Sequence, residues 1–117
     1  MTTKTQERDI KSVQRGVMLY SVSKSGLGTP ALSGADSLQF SVTDNGVGDY
    51  TLNLLDEASE EDLVIHLQSK SAGISCLPGT ASKSSIQVLC FDDLAQTNAA
   101  EGNFSALVYK RKRSDKV

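Results

Sequence analysis

The most constraining part of the sequence is the stretch Ser37–Leu55, in which two alternating runs flank a cluster of turn residues. Apolar side chains recur there at every second position, namely at Leu38, Phe40, Val42, Tyr50, Leu52 and Leu54. A period of two is typical of a strand with one buried face. Asn45 and Gly46 tolerate a positive φ, so the chain can reverse between the runs and pair them antiparallel. Because a hairpin with one apolar face is not stable alone, we expect further strands to cover it.

Five further segments have the length and composition of short strands, and turn residues separate them. They cover residues 17–22, 63–67, 72–77, 85–91 and 104–110. Pro78-Gly79 is a turn dipeptide and predicts the end of the third of these strands. The stretch 23–34, rich in Gly and Ser, predicts a loop or an irregular edge segment. About seven or eight short strands at even spacing indicate an all-β fold, a single antiparallel β-sandwich that is jelly-roll-like.

The length of 117 residues and the distribution of charge predict one domain with two charged extensions. We divide the chain into an N-terminal arm or edge strand at 1–16, a β-sandwich domain at 17–110 and a short basic C-terminal tail at 111–117. The net charge is −2, but residues 1–15 carry +2 and residues 110–117 carry +4, which leaves −8 on the body between them. Basic ends on an acidic body suggest segments that dock on an acidic neighbouring surface.

Composition and motifs argue against several classes of function. With one histidine, no GxSxG elbow and no P-loop, the sequence predicts neither an enzyme nor a cofactor. No apolar run approaches the roughly 20 residues needed to cross a bilayer. The charged N-terminal residues are also not followed by the apolar stretch that is typical of a secretory signal. We therefore expect no membrane partner, no secretory signal and folding in a reducing cytosol. The basic tail lacks interleaved aromatic residues, which argues against nucleic acid and favours a solvated or subunit-docking tail, with a nuclear import signal as a further interpretation.

Three local features have both a structural and a functional interpretation. The acidic connection 56–62 lacks the ligand spacing of a calcium loop, so a solvated loop is favoured over a weak cation site. Cys76 and Cys90 lie on apolar runs, which favours buried free thiols. A disulfide between neighbouring strands is the alternative, and a reducing compartment disfavours it. His66 falls on the polar face of its strand, which favours an exposed or hydrogen-bonded residue over a pH switch.

Residues 10–16, IKSVQRG, resemble the IKSIQRG motif that opens many small bacteriophage virion and prophage β-domain proteins, with six of seven positions identical. The later part of the chain is similar to fibre-type jelly-roll domains of phages. The matching residues are Gly48, Tyr50, Thr51, residues 63–68 and 86–91, Phe104, Ser105, Val108 and Tyr109. The resemblance implies a phage particle component without enzymatic activity, often trimeric. The chain lacks the repeats or coiled coil of a fibre shaft. The resemblance therefore implies a capsid decoration or cement protein, or a small tail or collar component.

This resemblance and the two apolar faces of the last strands predict two binding segments. Attachment to the particle is assigned to the arm, at Ile10, Val13, Gln14 and Arg15. Self-association is assigned to an apolar sheet face, at Leu89, Phe91, Leu107 and Tyr109. The expected partners are other virion proteins and further copies of the chain, with a trimer as one form, in a virion assembled in the host cytoplasm. An ordinary edge strand is the alternative for the first set, and a two-layer monomeric core is the alternative for the second.

A receptor- or glycan-binding head of a phage fibre is the alternative function. The acidic connection offers its candidate sugar site, in which a cation is held by Asp56, Glu60 and Asp62. A glycan-binding head needs exposed aromatic residues at its loop tips. The three tyrosines, Tyr20, Tyr50 and Tyr109, all lie in predicted strands instead. The sequence therefore favours the structural protein.

Overall fold

The computed structural model describes residues 17–111, which form eight β-strands and one 3-10 turn at Ser37–Gln39. In chain order the strands are β1 (Val17–Ser25), β2 (Ala31–Ser33), β3 (Phe40–Gly46), β4 (Asp49–Leu54), β5 (Val64–Ser69), β6 (Ser75–Ala81), β7 (Ser85–Phe91) and β8 (Phe104–Arg111). The predicted all-β class is confirmed. Residues 1–16 and 112–117 lie outside the described part, and with them the predicted attachment residues, Ile10, Val13, Gln14 and Arg15.

The strands form two four-stranded antiparallel sheets that pack face to face. The first sheet has the order β2-β1-β8-β5, and the second sheet has the order β3-β4-β7-β6. β3 and β4 form the predicted hairpin, but the chain reverses at Val47 and Gly48 and not at Asn45-Gly46, because β3 continues to Gly46 with a register irregularity after Asp44. The connections β2–β3, β4–β5, β5–β6 and β7–β8 pass from one sheet to the other, as in Greek-key sandwiches. The predicted β-sandwich is therefore confirmed.

The core lies between the sheets and is filled by every second side chain of the central strands. β4 contributes Tyr50, Leu52 and Leu54, β7 contributes Ile86, Val88 and Cys90, and β8 contributes Phe104, Ala106 and Val108; the remaining buried apolar residues are Tyr20, Val22, Phe40 and Leu63. Tyr20 and Phe40 meet edge to face across the two sheets, with ring centroids 5.4 Å apart. The alternation predicted for β4 is confirmed at each of its inward positions.

The predicted inward position of Leu38 is wrong, because its side chain is 90% exposed. Its backbone belongs to the 3-10 turn, in which the Gln39 N–H donates to the Asp36 carbonyl at 3.0 Å. Asp36 is held against β1, since its N–H donates to the Ser21 carbonyl and its carboxylate accepts from the Ser21 N–H. The turn therefore carries the chain from the first sheet to the second, and the paired strand begins only at Phe40.

The predicted strand end at Pro78-Gly79 is also wrong, because β6 continues through both residues to Ala81. β6 is an edge strand, where the missing N–H of a proline can face solvent. The register with β7 shifts between Pro78 and Ala81, and the Thr80 N–H donates to the side-chain oxygen of Gln87 at 3.2 Å. An irregular edge strand thus takes the place of the predicted turn.

Candidate functional site

The predicted self-association residues lie on two opposite outer surfaces of the sandwich. Leu107 and Tyr109 belong to β8 and face outward from the first sheet, whereas Leu89 and Phe91 belong to β7 and face outward from the second. The alternate residues of both strands point into the core. The four residues therefore do not form one apolar sheet face, because the two strands belong to different layers.

The outer face of the first sheet carries a cluster of apolar side chains. The strand register places Leu19 and Val64 on either side of Tyr109, and Leu107 follows on the same face of β8. Leu19 is 54% exposed and Val64 is 57% exposed, and Val17 and Leu107 are exposed as well. We call Val17, Leu19, Val64, Leu107 and Tyr109 the apolar patch.

Charged and polar side chains border the apolar patch. Glu61, Asp62 and Arg111 line a shallow depression beside Tyr109. His66 packs its ring edge against Tyr109, with centroids 5.9 Å apart. The other half of this face is polar and uncharged, with Ser21, Ser23, Gln68 and Ser105. The face is thus divided into an apolar half with a rim of both charge signs and a neutral polar half.

The outer face of the second sheet is mostly polar and internally hydrogen-bonded. Side-chain amides on this face donate to neighbouring side-chain oxygens at 2.8–3.0 Å, in the pairs Asn45–Thr51, Asn53–Thr43 and Gln87–Asp49. Leu89 and Phe91 are half-buried there, and Leu77 is the register partner of Leu89. Because the polar groups satisfy one another and the apolar ones are partly covered, this face is the weaker candidate for association.

A buried lysine ties the two sheets together at the end of β1 that is remote from the apolar patch. Lys24 is inaccessible to solvent, and its Nζ donates to the Gly102 carbonyl at 2.6 Å and to Asn103 Oδ1 at 3.3 Å. The same ammonium lies 4.0 Å from the centroid of the Tyr50 ring, which is a cation–π contact. Burial lowers the pKa of Lys24. The carbonyl oxygens and the ring replace part of the hydration that the buried ammonium has lost.

Tyr50 extends this buried junction to Glu101. Its hydroxyl donates to Glu101 Oε2 at 2.7 Å, and the Gly48 N–H donates to the same oxygen at 3.1 Å. Burial and then this hydrogen bond raise the pKa of Tyr50, and the same hydrogen bond lowers the pKa of Glu101. The junction connects strands of both sheets through side chains, so its role is structural.

Sequence reasoning missed three residues of the apolar patch and the buried lysine. The signal for Val17 and Leu19 is that residues 17–20 are apolar at four consecutive positions, which places apolar side chains on both faces of β1. Val64 likewise extends the apolar run of β5 to its second face. For Lys24 the signal is its spacing, because it continues the inward alternation of Tyr20 and Val22. That position falls, however, within the loop that the sequence predicts at 23–34.

The cation site considered for the glycan-binding alternative needs Asp56, and this carboxylate is already engaged. Asp56 accepts a hydrogen bond from the Tyr20 hydroxyl at 2.9 Å and lies 3.6 Å from the buried Nζ of Lys110. The Glu57 N–H, the Tyr20 hydroxyl and the Lys110 ammonium lower the pKa of Asp56. Burial and the hydrogen bond to this carboxylate raise the pKa of Tyr20 to about 12. Within residues 17–111, no group of three or more His, Cys, Asp or Glu side chains is placed to hold a metal ion.

No protein family, curated protein or solved structure matches the chain. In the described part of the chain, no helix is long and apolar enough to span a membrane. The apolar patch is the best candidate for a functional site, because contiguous apolar side chains are exposed there on one face beside charged groups of both signs.

Proposed function

We propose that the protein is a non-enzymatic structural component of a bacteriophage particle, either a capsid decoration or cement protein or a small tail or collar protein. In this proposal, copies of the chain associate through the apolar patch, and the N-terminal segment 10–16 attaches the assembly to the particle. The observation that carries the proposal is the exposure of the apolar patch, whose side chains come from three neighbouring strands and lie next to one another.

The contiguity of the apolar patch distinguishes it from the other exposed leucines of the protein. Leu38 and Leu94 are more exposed, but each projects alone from a turn or loop. Single apolar side chains on a surface are ordinary, whereas contiguous ones mark sites of association. Removing them from water contributes roughly 25 cal/mol for each Å² buried, so covering the patch on two copies is favourable.

The charged rim of the apolar patch suits a second copy of the same surface. In a two-fold interface the same patch is used by both partners, so Arg111 of one copy can oppose Glu61 and Asp62 of the other. The three side chains line one depression at the border of the patch, which brings both signs of charge to the same rim. The resemblance implies a trimer, and a trimer needs a contact between two different surfaces of the chain. The mass of the assembly therefore distinguishes a two-fold dimer from a trimer.

The first sheet also has an edge that can accept a strand. β2 pairs only with Ser23–Ser25 of β1, so within residues 17–111 the earlier part of β1 has no neighbouring strand on that side. Ser21 bonds to Asp36 there instead. An extended segment of another subunit can add to such an edge through backbone hydrogen bonds. The segment 10–16 is the candidate donor, because the resemblance assigns attachment to it.

Sedimentation velocity on the full chain and on the double variant Leu19→Ser/Leu107→Ser tests the self-association. We expect the wild type to sediment as a dimer or larger species. The dissociation constant of the double variant should be at least about tenfold higher, because a tenfold change corresponds to about 1.4 kcal/mol and two buried leucines contribute more than that. Leu94→Ser removes an almost fully exposed leucine from a loop and is the matched control. A monomeric wild type, or an equal effect of the control, contradicts association through the patch.

Mass spectrometry of particles tests the assignment to a virion independently. The particles are purified on a density gradient from a culture of the host that carries the gene. We expect the protein in the particle fraction at a fixed ratio to the major structural protein. If the protein occurs only in the particle-free fraction, the virion role is wrong even when the chain self-associates.

A further inference from the structure

Two cysteine side chains face each other between the edge strand β6 and its neighbour β7. Cys76 and Cys90 are direct register partners, and their sulfur atoms are 3.1 Å apart. Cys90 directs its N–H away from β6, to the Gly48 carbonyl at 2.8 Å on the other side of β7. The two cysteines therefore form a non-hydrogen-bonded pair, the kind in which the side chains approach most closely. The Cα separation of such pairs, about 4.5 Å, lies within the range that disulfides span.

We propose that Cys76 and Cys90 are a reversible redox pair that hydrogen peroxide closes to an interstrand disulfide. In the first step the Cys76 thiolate attacks one peroxide oxygen, the O–O bond breaks, and hydroxide leaves, which gives a sulfenic acid on Cys76. In the second step the Cys90 sulfur attacks the Cys76 sulfur and the S–O bond breaks. The leaving hydroxide takes the Cys90 proton as water. Two thiols and one peroxide thus become one disulfide and two waters, with two electrons passing from sulfur to oxygen.

The surroundings of the pair assign the attacking role to Cys76. Cys76 is partly accessible to solvent, whereas Cys90 is buried between the sheets. The contact with the Cys90 sulfur lowers the pKa of Cys76, and the Ser69 hydroxyl and the Lys24 ammonium act in the same direction. The same contact and the burial of its sulfur raise the pKa of Cys90. The thiol that has the lower pKa and is reachable from solvent is the one that peroxide oxidises first.

Closure of the pair has a structural consequence for β6. This strand lies at the edge of the second sheet and its register is irregular between Pro78 and Ala81, so its pairing with β7 is interrupted. A covalent link next to the irregularity holds the edge strand in place and shortens the free loop of the unfolded chain. We therefore expect the oxidised form to have a higher Tm than the reduced form, by on the order of 10 °C. The inference does not depend on the proposed function.

The test treats the purified full chain with a small excess of hydrogen peroxide and measures intact mass, thiol content and Tm. Closure is expected to lower the monomer mass by about 2 Da, remove both thiols and raise the Tm, and dithiothreitol is expected to reverse all three changes. Cys76→Ser and Cys90→Ser each keep one thiol and are expected to gain oxygen, about 16 Da, or to remain unchanged. A wild type that gains oxygen, forms disulfide-linked dimers or retains both thiols overturns the proposal. Because the wild-type measurements decide the result, a variant that fails to fold leaves the test intact.

Discussion

The substitution Tyr50→Phe removes one buried hydroxyl group and leaves the aromatic ring in place. In the wild type the hydroxyl donates to Glu101 at 2.7 Å, while the ring centroid lies 6.2 Å from that of Phe104 and 4.0 Å from the Lys24 ammonium. Phenylalanine keeps the ring contacts, so the change isolates the hydrogen bond. A hydrogen bond to a charged group contributes about 1.5–3 kcal/mol. Because Glu101 is only partly buried and keeps the bond from the Gly48 N–H, we expect the free energy of unfolding to fall by about 1.5 kcal/mol.

The loss caused by Tyr50→Phe should depend on pH, because the hydrogen bond is strongest when Glu101 is ionised. The Tyr50 hydroxyl is the largest of the influences that lower the pKa of Glu101 below its ordinary value of 4.5. A carboxyl group with a lowered pKa stabilises the folded state above the ordinary pKa, and that contribution is lost as the pH falls through the folded-state pKa. The difference between wild type and variant is therefore complete at pH 7 and shrinks below pH 4.5.

Urea unfolding followed by far-ultraviolet circular dichroism at pH 7 and at about pH 3 measures this difference. Thr29→Val is the control, since it also replaces a hydroxyl group by an apolar one but lies exposed in a loop outside the apolar patch, and we expect it to change stability by less than about 0.5 kcal/mol. A double-mutant cycle with Glu101→Gln should give a coupling energy of about 1 kcal/mol for the pair. A loss at pH 7 no larger than that of the control, or an equal loss at both pH values, refutes the reasoning.

Two further predictions concern a glycine in the hairpin turn and the ion pair under the acidic connection. In Gly48→Ala the new Cβ lies 2.6 Å from the carbonyl oxygen of Cys90 at a φ of +67°. We expect thermal unfolding to show a loss of about 3 kcal/mol, against less than about 0.5 kcal/mol for Gly28→Ala, and similar losses for both contradict the strain argument. Asp56→Asn removes the charge that faces a buried lysine of β8, so it should lower the urea midpoint at pH 7. It should also reduce the loss of stability that the wild type shows as the pH falls below 3.8, because the pKa of Asp56 is lowered in the fold and this share of the loss disappears with the carboxylate; an equal effect of Glu57→Gln contradicts this role.

The alternation of apolar residues located the central strands because each of them buries one face. It could not locate the start of a strand, since that depends on contacts with distant segments. Leu38 continues the pattern of β3, but the bonds between Asp36 and Ser21 hold the preceding chain against the first sheet. A proline ends a strand where its missing N–H would have to donate to a neighbouring strand. Pro78 lies in an edge strand, where the N–H position can face solvent, so the strand continues through it.

The candidate site was predictable only in part, because the order of strands in a sheet is not contained in their local patterns. The apolar second face of β8 identified Leu107 and Tyr109 as residues that face away from the core. Leu19 meets Tyr109 only because β1 and β8, which are far apart in the chain, are neighbours in the first sheet. The strand order also places Leu89 of β7 in the second sheet, away from the apolar patch. It likewise brings Lys24 to the Gly102 carbonyl, to which its buried ammonium donates a hydrogen bond.

The mass of the protein by light scattering, for the full chain and for a chain that lacks residues 1–16, tests most directly whether the β-sandwich associates through the apolar patch. We predict a dimeric mass for both chains, because the patch lies within residues 17–111. Leu19→Ser/Leu107→Ser in the shortened chain should then reduce the mass to that of a monomer. A monomeric mass for both unsubstituted chains, or an oligomer that disappears with residues 1–16, contradicts association through the patch.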